Sequence, residues 1–199
     1  MNARFEINAD DLSERLANAT EADTCKGMFF NGLFRAVESL GPAQFAAFKD
    51  RAQGRKYVDF FNYTLLEFLP LAYFAAELVG GGRTPAQLES GIRTLGRQAT
   101  DDFVNTAVGK TLMLLANHDA RRLMPSLATG YKTAVSYGTR TLTWSSRTAG
   151  IFAMRRDLMP HPYHEGVLIQ VLTAVGAKDV RVVGTRLALF DTDYDFSWS

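Results

Sequence analysis

The chain has little of what disulfide-stapled, secreted proteins are built from. Among its 199 residues there is a single cysteine, Cys25, so no disulfide can form within the chain. This usage fits a reducing compartment, and residues 1–6 contain no apolar run of the kind that opens a secretory signal. We therefore predict a cytoplasmic protein.

Neither basic nor acidic residues are in clear excess, and long apolar runs are also scarce. The 22 basic and 21 acidic residues leave a net charge of +1, and no five like charges stand in a row. This pattern argues against a nucleic-acid partner. Residues 60–79 are the one candidate membrane span, but they include Pro70, Glu67 and Glu77, and two carboxylates are costly in lipid. We predict two buried helices that meet at Pro70, and no membrane span.

Motifs that would announce a catalytic or metal site are missing. The sequence has no Gly-x-Ser-x-Gly nucleophile elbow. His161 and His164 precede Glu165 in an order that matches neither common zinc pattern, so no metal is predicted and the role of the histidine pair is left open. Cys25 is interpreted as a small buried side chain on the first long helix. These absences favour a protein that is not an enzyme.

The sequence does contain a change of hydrophobic period. Residues 20–130 carry apolar side chains at a spacing of three to four, which is typical of helices. Residues 140–146, 151–155, 180–183 and 194–198 read as extended segments, and residues 163–175 between them read as a helix. We therefore predict a single α+β domain over residues 1–199. In it a helical lobe of about six helices (residues 20–130) packs on an antiparallel sheet of about four strands with one crossing helix (residues 131–199), in the order β-β-α-β-β.

A cavity between the two lobes is the functional feature that this architecture suggests. The chain has 14 phenylalanines, and aromatic cores often line pockets, although dense packing alone also uses them. The predicted pocket residues are Phe30, Phe34, Phe61 and Trp144. Gly27 and Gly32 are predicted inside the first long helix, where a glycine lets a neighbouring element approach; a helix is favoured over a ligand.

Several stretches together resemble a known family. They are Asp23-Thr-Cys-Lys-Gly-Met-Phe-Phe-Asn-Gly-Leu, Leu95-Gly-Arg, Val108-Gly-Lys-Thr, the segment from Met124-Pro125 to Gly130-Tyr131, Val175-Gly-Ala-Lys-Asp-Val-Arg-Val, and Tyr194-Asp-Phe-Ser-Trp198. They are similar to the myxobacterial (Myxococcus-type) paralogous family of proteins of about this length, a domain of unknown function. The resemblance spans nearly the whole chain, and it implies no established activity, cofactor or catalytic residue.

A more distant likeness concerns the order of elements in the C-terminal half. It is similar to heme–nitric oxide/oxygen binding (H-NOX) domains and to the V4R ligand-binding domains. Heme binders of that group hold the propionates with Tyr-x-Ser-x-Arg on a strand, and a histidine on an earlier helix ligates the iron. At the comparable place this chain has Thr143, Ser145 and Arg147, with threonine in place of the tyrosine, and His118 is the corresponding histidine.

Two functions follow from these expectations. The first is a non-enzymatic sensor or interaction module without a cofactor, which binds a protein partner or a small apolar ligand between the helical lobe and the sheet; a homodimer is left open. The alternative is an H-NOX-like heme and gas sensor in which His118 is the axial ligand and Thr143, Ser145 and Arg147 hold the propionates.

Overall fold

The structure is a computed structural model, and it describes residues 7–117 and 119–199. The helices are α1 (Ala9–Asn18), α2 (Gly27–Glu38), α3 (Pro42–Arg51), α4 (Leu65–Gly80), α5 (Pro85–Val104), α6 (Ala107–Ala116), α7 (Ala120–Ala134) and α8 (His161–Ala174). The strands are β1 (Thr24–Lys26), β2 (Asn62–Thr64), β3 (Thr139–Trp144), β4 (Ala149–Arg155), β5 (Arg181–Ala188) and β6 (Asp191–Ser197).

The C-terminal third is a four-stranded antiparallel sheet crossed by α8. The strand order is β3-β4-β6-β5, and β4 pairs with β6 so that Phe152 lies opposite Tyr194. Period-two alternation places Phe152, Met154, Tyr194 and Phe196 on the buried face of the sheet. The predicted β-β-α-β-β order and the α+β fold class are therefore confirmed.

Aromatic rings fill the core of the helical lobe. Phe30 stacks on Tyr57 with ring centroids 4.1 Å apart and meets Phe68 edge-on at 4.9 Å. Phe34 meets Phe48 in the same way, also at 4.9 Å. The two edge-on spacings lie within the range of favourable aromatic pairs and the stacked pair is closer still, so the rings interlock and leave little room among themselves.

Two glycines allow α8 to pack directly on α5. A Cβ atom on Gly96 of α5 would lie 1.9 Å from the carbonyl oxygen of Tyr163 on α8. A Cβ atom on Gly166 of α8 would lie 2.0 Å from the carbonyl oxygen of Arg93 on α5. Because neither position has space for a side chain, the two backbones approach closely, and α8 joins the helical lobe to the sheet.

The start of the first long helix differs from the prediction. Cys25 is buried as expected, but it lies on β1, and α2 begins at Gly27. The reason is that β1 pairs with β2, with Cys25 opposite Tyr63. A Cβ atom on Gly27 would lie 2.2 Å from the carbonyl oxygen of Val58, so the element that this glycine admits is a loop and not the predicted helix.

The predicted break at Pro70 is also wrong, because α4 is a single helix from Leu65 to Gly80. Residues 60–64 are predicted to be helical as well, but Asn62–Thr64 is strand β2, and Thr64 caps the helix by accepting a hydrogen bond from the backbone N–H of Leu66. Pro70 lies near the start of α4, where its missing N–H interrupts the helix at one bond only.

Within the described residues, no helix alone has the length and apolar character needed to cross a membrane. A pair does meet the criterion on length and composition: Leu65–Gly80 together with Pro85–Val104, which are bent by 107° relative to each other.

Candidate functional site

An apolar cavity of about 120 Å³ lies between the helical lobe and α8, the helix that crosses the sheet. Its wall includes three phenylalanines, Phe29 of α2, Phe68 of α4 and Phe103 of α5, together with Leu127 of α7 and Val171 of α8. An apolar cavity of about 150 Å³ stays dry and accepts benzene. The present cavity is therefore of a size for one small ring or an equivalent short chain.

The polar part of the cavity wall consists mainly of aromatic side chains. Tyr131 of α7, Tyr137, and Tyr163 and His164 of α8 line it, and Cys25 of β1 lies beside them. Burial raises the pKa of the Cys25 thiol, the carboxylate of Glu67 adding to the effect, so the sulfur is a neutral thiol and not a nucleophilic thiolate.

A buried hydrogen-bond relay leads from this wall into the sheet. The Tyr131 hydroxyl lies 2.9 Å from Nδ1 of His164, and Nε2 of His164 lies 3.0 Å from Oδ1 of Asp157. Arg140 of β3 forms an ion pair with the same carboxylate, and the backbone N–H of Met159 donates to it at 3.0 Å.

Asp157 is the charged centre of this relay. Burial alone would raise its pKa, but His164 and Arg140 together outweigh burial, and the pKa lies well below its usual range. The carboxylate is thus ionised and accepts from Nε2–H of His164. In the tautomer that carries the ring proton on Nε2, Nδ1 is the acceptor for the Tyr131 hydroxyl.

A second buried network also ties α1 and α4 to β5. Asp11 of α1 accepts from Nε of Arg15 at 2.8 Å and from Arg186 of β5 at 3.3 Å, and Tyr73 of α4 donates to the same carboxylate. Arg15 also donates to the carbonyl oxygen of Leu158 at 3.1 Å. None of these side chains lines the cavity, so we assign this network to the structural attachment of α1.

His161 and Glu165 lie on another part of α8. Glu165 accepts from Nε of Arg93 at 2.9 Å and from the backbone N–H of Gly184 at 2.9 Å, which links α5, α8 and β5. Burial lowers the pKa of His161 to about 4. Because His164 is taken up by the relay and no group of three or more His, Cys, Asp or Glu side chains among the described residues could hold a metal ion, the histidine pair is not a metal site there.

The four residues predicted to line a pocket do not line this cavity. Phe30 and Phe34 belong to the interlocked rings of the helical core, and Phe61 is 64% exposed on the loop before β2. Trp144 packs on Phe196 of β6 with ring centroids 5.5 Å apart. The aromatic composition predicted residues that pack densely, whereas a cavity forms where packing is incomplete.

The residues predicted to hold heme propionates do not line the cavity. Thr143, Ser145 and Arg147 are all exposed, and β3 ends before Ser145 and Arg147, which lie in the turn to β4. Arg147 lines a separate, open polar groove of about 380 Å³ together with Arg121. His118 lies outside the described residues, so its predicted role as an axial ligand stays a prediction.

The apolar cavity does not fit a heme. Its 120 Å³ is below the roughly 300 Å³ at which pockets for drug-sized ligands begin. Among the described residues of its wall there is no lysine or arginine to pair with propionates, and both ring nitrogens of His164 already take part in hydrogen bonds. We therefore derive no chemistry through a heme in this cavity.

The residues that build the relay had only weak signals in the sequence. Tyr131 stands in the segment that carries the family resemblance, and His164 was noted only as half of a histidine pair. Asp157 and Arg140 are 17 residues apart in sequence and meet because β3 and β4 pair, so no local spacing could have joined them. Buried polar residues in an apolar setting are the general signal, and burial is not visible in one sequence.

Solved structures similar to this chain are H-NOX proteins. The unliganded Fe(II) H-NOX protein from K. algicida superimposes with a TM-score of 0.63 at 10% identity, covering 87% of this chain and 96% of its own. The H-NOX protein from S. oneidensis in the Fe(II)NO state has a TM-score of 0.63 at 13% identity, with 87% and 99% covered. The IWP-051-bound H-NOX from Shewanella woodyi in the Fe(II)CO state has a TM-score of 0.59 at 14% identity, with 87% and 94% covered. At such identities the likeness establishes the fold alone.

By sequence, no curated protein matches this chain. A family model does match, over residues 18–199, and it is described as "Protein of unknown function (DUF2378)". That match spans all the elements from β1 to β6, including every residue of the relay and of the cavity wall. The chain belongs to the DUF2378 family.

Proposed function

We propose that this protein is a non-enzymatic sensor module that binds one small apolar molecule in the cavity between its helical lobe and α8, the helix that crosses its sheet. The observation that carries the proposal is the cavity itself, whose wall is drawn from β1, α2, α4, α5, α7 and α8. A ligand there contacts both lobes at once, and the relay from Tyr131 to Asp157 continues from the wall to β3. Occupancy therefore biases the way the lobes fit together.

Thermal unfolding in the presence of benzene or toluene tests this function. A ligand that binds only the folded protein stabilises it by about 1.4 kcal/mol at ten times its Kd, which raises the Tm by roughly 3–6 °C for a chain of this size. No shift with either compound, up to the limit of its solubility, would contradict the proposal.

A matched pair of variants locates the binding. Ala99 lines the cavity on α5, whereas Ala86 is exposed on the same helix. We expect Ala99→Leu to fill the cavity and abolish the ligand-dependent shift, and Ala86→Leu to retain it. Equal shifts in both variants would place the ligand elsewhere.

A heme and gas sensor is the second candidate, and the shared H-NOX fold is the observation in its favour. An absorbance spectrum after incubation with hemin separates the two functions. We expect no Soret band. A Soret band that disappears in His118→Ala would establish the heme alternative instead.

Binding of a protein partner, and a homodimer, stay predictions. Among the described residues, four large apolar side chains have the highest exposed fractions and are available to a partner. They are Leu114 and Leu115 of α6, which are 76% and 74% exposed, and Phe60 and Phe61, which are 68% and 64% exposed. Size analysis at several protein concentrations tests self-association.

A further inference from the structure

Two tyrosine hydroxyls in the cavity wall lack the hydrogen bonds that buried hydroxyls normally make. Tyr137 is 4% exposed and Tyr163 is 7% exposed, and both line the cavity. Within the described residues, Tyr131 bonds to His164, whereas neither of the other two hydroxyls has a hydrogen-bond partner. Two hydroxyls without a protein partner beside one cavity are therefore available to donate to a molecule that enters it.

The rings that carry these hydroxyls are held in place by their neighbours. The guanidinium of Arg140 lies 5.4 Å from the ring centroid of Tyr137, and the ring of Tyr163 meets that of His164 edge-on at 5.4 Å. Neither hydroxyl oxygen is completely occluded, so each keeps some surface open to a small molecule. Burial raises the pKa of both tyrosines well above the usual range, and both therefore remain protonated donors.

Among the described residues of the wall, the side chains of Thr100, Tyr131 and His164 are already engaged in hydrogen bonds. The Thr100 hydroxyl donates to the carbonyl oxygen of Gly96 at 3.1 Å, and both ring nitrogens of His164 belong to the relay. The part of the wall that the structure describes holds no lysine or arginine, so a carboxylate or phosphate would be buried there without a countercharge. A neutral acceptor is the chemistry that the two hydroxyls satisfy.

We infer that the cavity takes a small, neutral, mainly apolar molecule with one hydrogen-bond acceptor, such as a ketone, an aldehyde or an ether, and that the hydroxyls of Tyr137 and Tyr163 donate to this acceptor. The inference rests on the proposed function, because it names the class of ligand for the same cavity.

Two probes of nearly equal shape test the acceptor: cyclohexanone, and methylenecyclohexane, in which a CH₂ group replaces the oxygen. Their affinities are measured by calorimetry on the full chain. We expect Tyr137→Phe and Tyr163→Phe each to weaken cyclohexanone binding by about three- to tenfold, the range that one hydrogen bond supplies. Both variants should change methylenecyclohexane binding by less than about twofold, because the rings are retained.

Tyr57→Phe is the matched control. It removes a buried hydroxyl that donates to Glu67 at 2.6 Å and that does not line the cavity, so both affinities should stay at wild-type values. If both probes bind and neither cavity variant affects cyclohexanone, the hydroxyls are not the donors and this inference is wrong, while the apolar cavity stands. If neither probe and neither aromatic hydrocarbon binds the wild-type protein, the proposed function itself fails.

Discussion

Helices α7 and α8 both wall the cavity, but different forces hold them. Eight of the fourteen residues of α8 are buried, and Gly166 and Gly96 bring its backbone into contact with α5. Only three of the fifteen residues of α7 are buried. One end of α7 is attached through Arg121, which lies 4.4 Å from the ring centroid of Trp144 and donates to two carbonyl oxygens of the β3–β4 turn.

This difference shows that a cavity can have one rigid wall and one compliant wall. Moving α8 breaks close backbone packing and the contacts of two core clusters. Moving α7 breaks the contacts of only one core cluster, to which it contributes the buried Ala120, Leu123 and Met124, and the bond from Tyr131 to His164. Local openings with few buried contacts cost the least free energy, so α7 is the wall expected to respond to a ligand. The following four predictions test this contrast.

Asp157→Ala should have the largest effect, because it leaves Arg140 buried without its countercharge and removes the partner of His164. We expect a loss of about 3–5 kcal/mol in the free energy of unfolding, measured in urea. Asp193→Ala is the control, since its ion pair with Arg155 is partly exposed, and it should cost at most about 1 kcal/mol. Similar losses in the two variants would mean that the relay does not anchor α8.

Gly166→Ala should cost about 3 kcal/mol, measured in the same way. The added methyl group would lie 2.0 Å from the carbonyl oxygen of Arg93, so α8 and α5 must separate. A variant with wild-type stability would show that α8 is not the rigid wall.

The lowered pKa of His161 predicts that the stability of the fold depends on pH under mildly acidic conditions. Burial lowers its pKa from 6.5 to about 4, although Glu165 opposes the shift; Arg186, Arg15 and Arg93 reinforce it. Between these two pH values the unfolded chain binds a proton that the folded chain does not, so stability falls as the pH falls from 6.5 to 4. This histidine contributes about 2–3 kcal/mol to that fall. His161→Gln should flatten the stability profile in this window by that amount; a profile as steep as that of the wild type would contradict the assignment.

Gly130→Ala should have the smallest effect, and of opposite sign. Gly130 lies within α7 and lines the cavity, and an added Cβ atom would meet no other atom within 4 Å. Alanine favours helix over glycine by up to about 1 kcal/mol, so we expect a gain of that order in urea unfolding. A loss comparable to that of Gly166→Ala would remove the contrast between the two helices.

The sequence predicted the fold well because hydrophobic period is a local property. The alternation of Tyr194 and Phe196 with aspartates placed β6, and the stripe through Leu168, Val171 and Leu172 placed α8. The Pro70 break failed because strand pairing of Asn62–Thr64, a non-local contact, decided where α4 begins.

The site was far less predictable than the fold. Tyr137, Tyr163 and Cys25 reach the same cavity from distant parts of the chain, and their proximity depends on the packing of α8 against α5. The predicted Phe30 and Phe34 are correct as core residues, but one sequence does not distinguish a ring that fills space from a ring that borders it. Tyr137 and Tyr163 stand out because their side chains are buried and their hydroxyls have no hydrogen-bond partner among the described residues. Neither property can be read from one sequence, because both depend on the folded structure.

The way α7 ends has a consequence for the proposed sensor function. Val135 forms a bridge with Cys25, and the backbone N–H of Ser136 donates to the carbonyl oxygen of Thr24 at 3.0 Å. Only residues 135–138 then separate α7 from β3, which in the described part of the chain is an outermost strand, paired with β4 alone. A shift that starts at the ligand would therefore travel along one continuous stretch of backbone to an edge strand, where open peptide groups are suited to strand addition by another polypeptide.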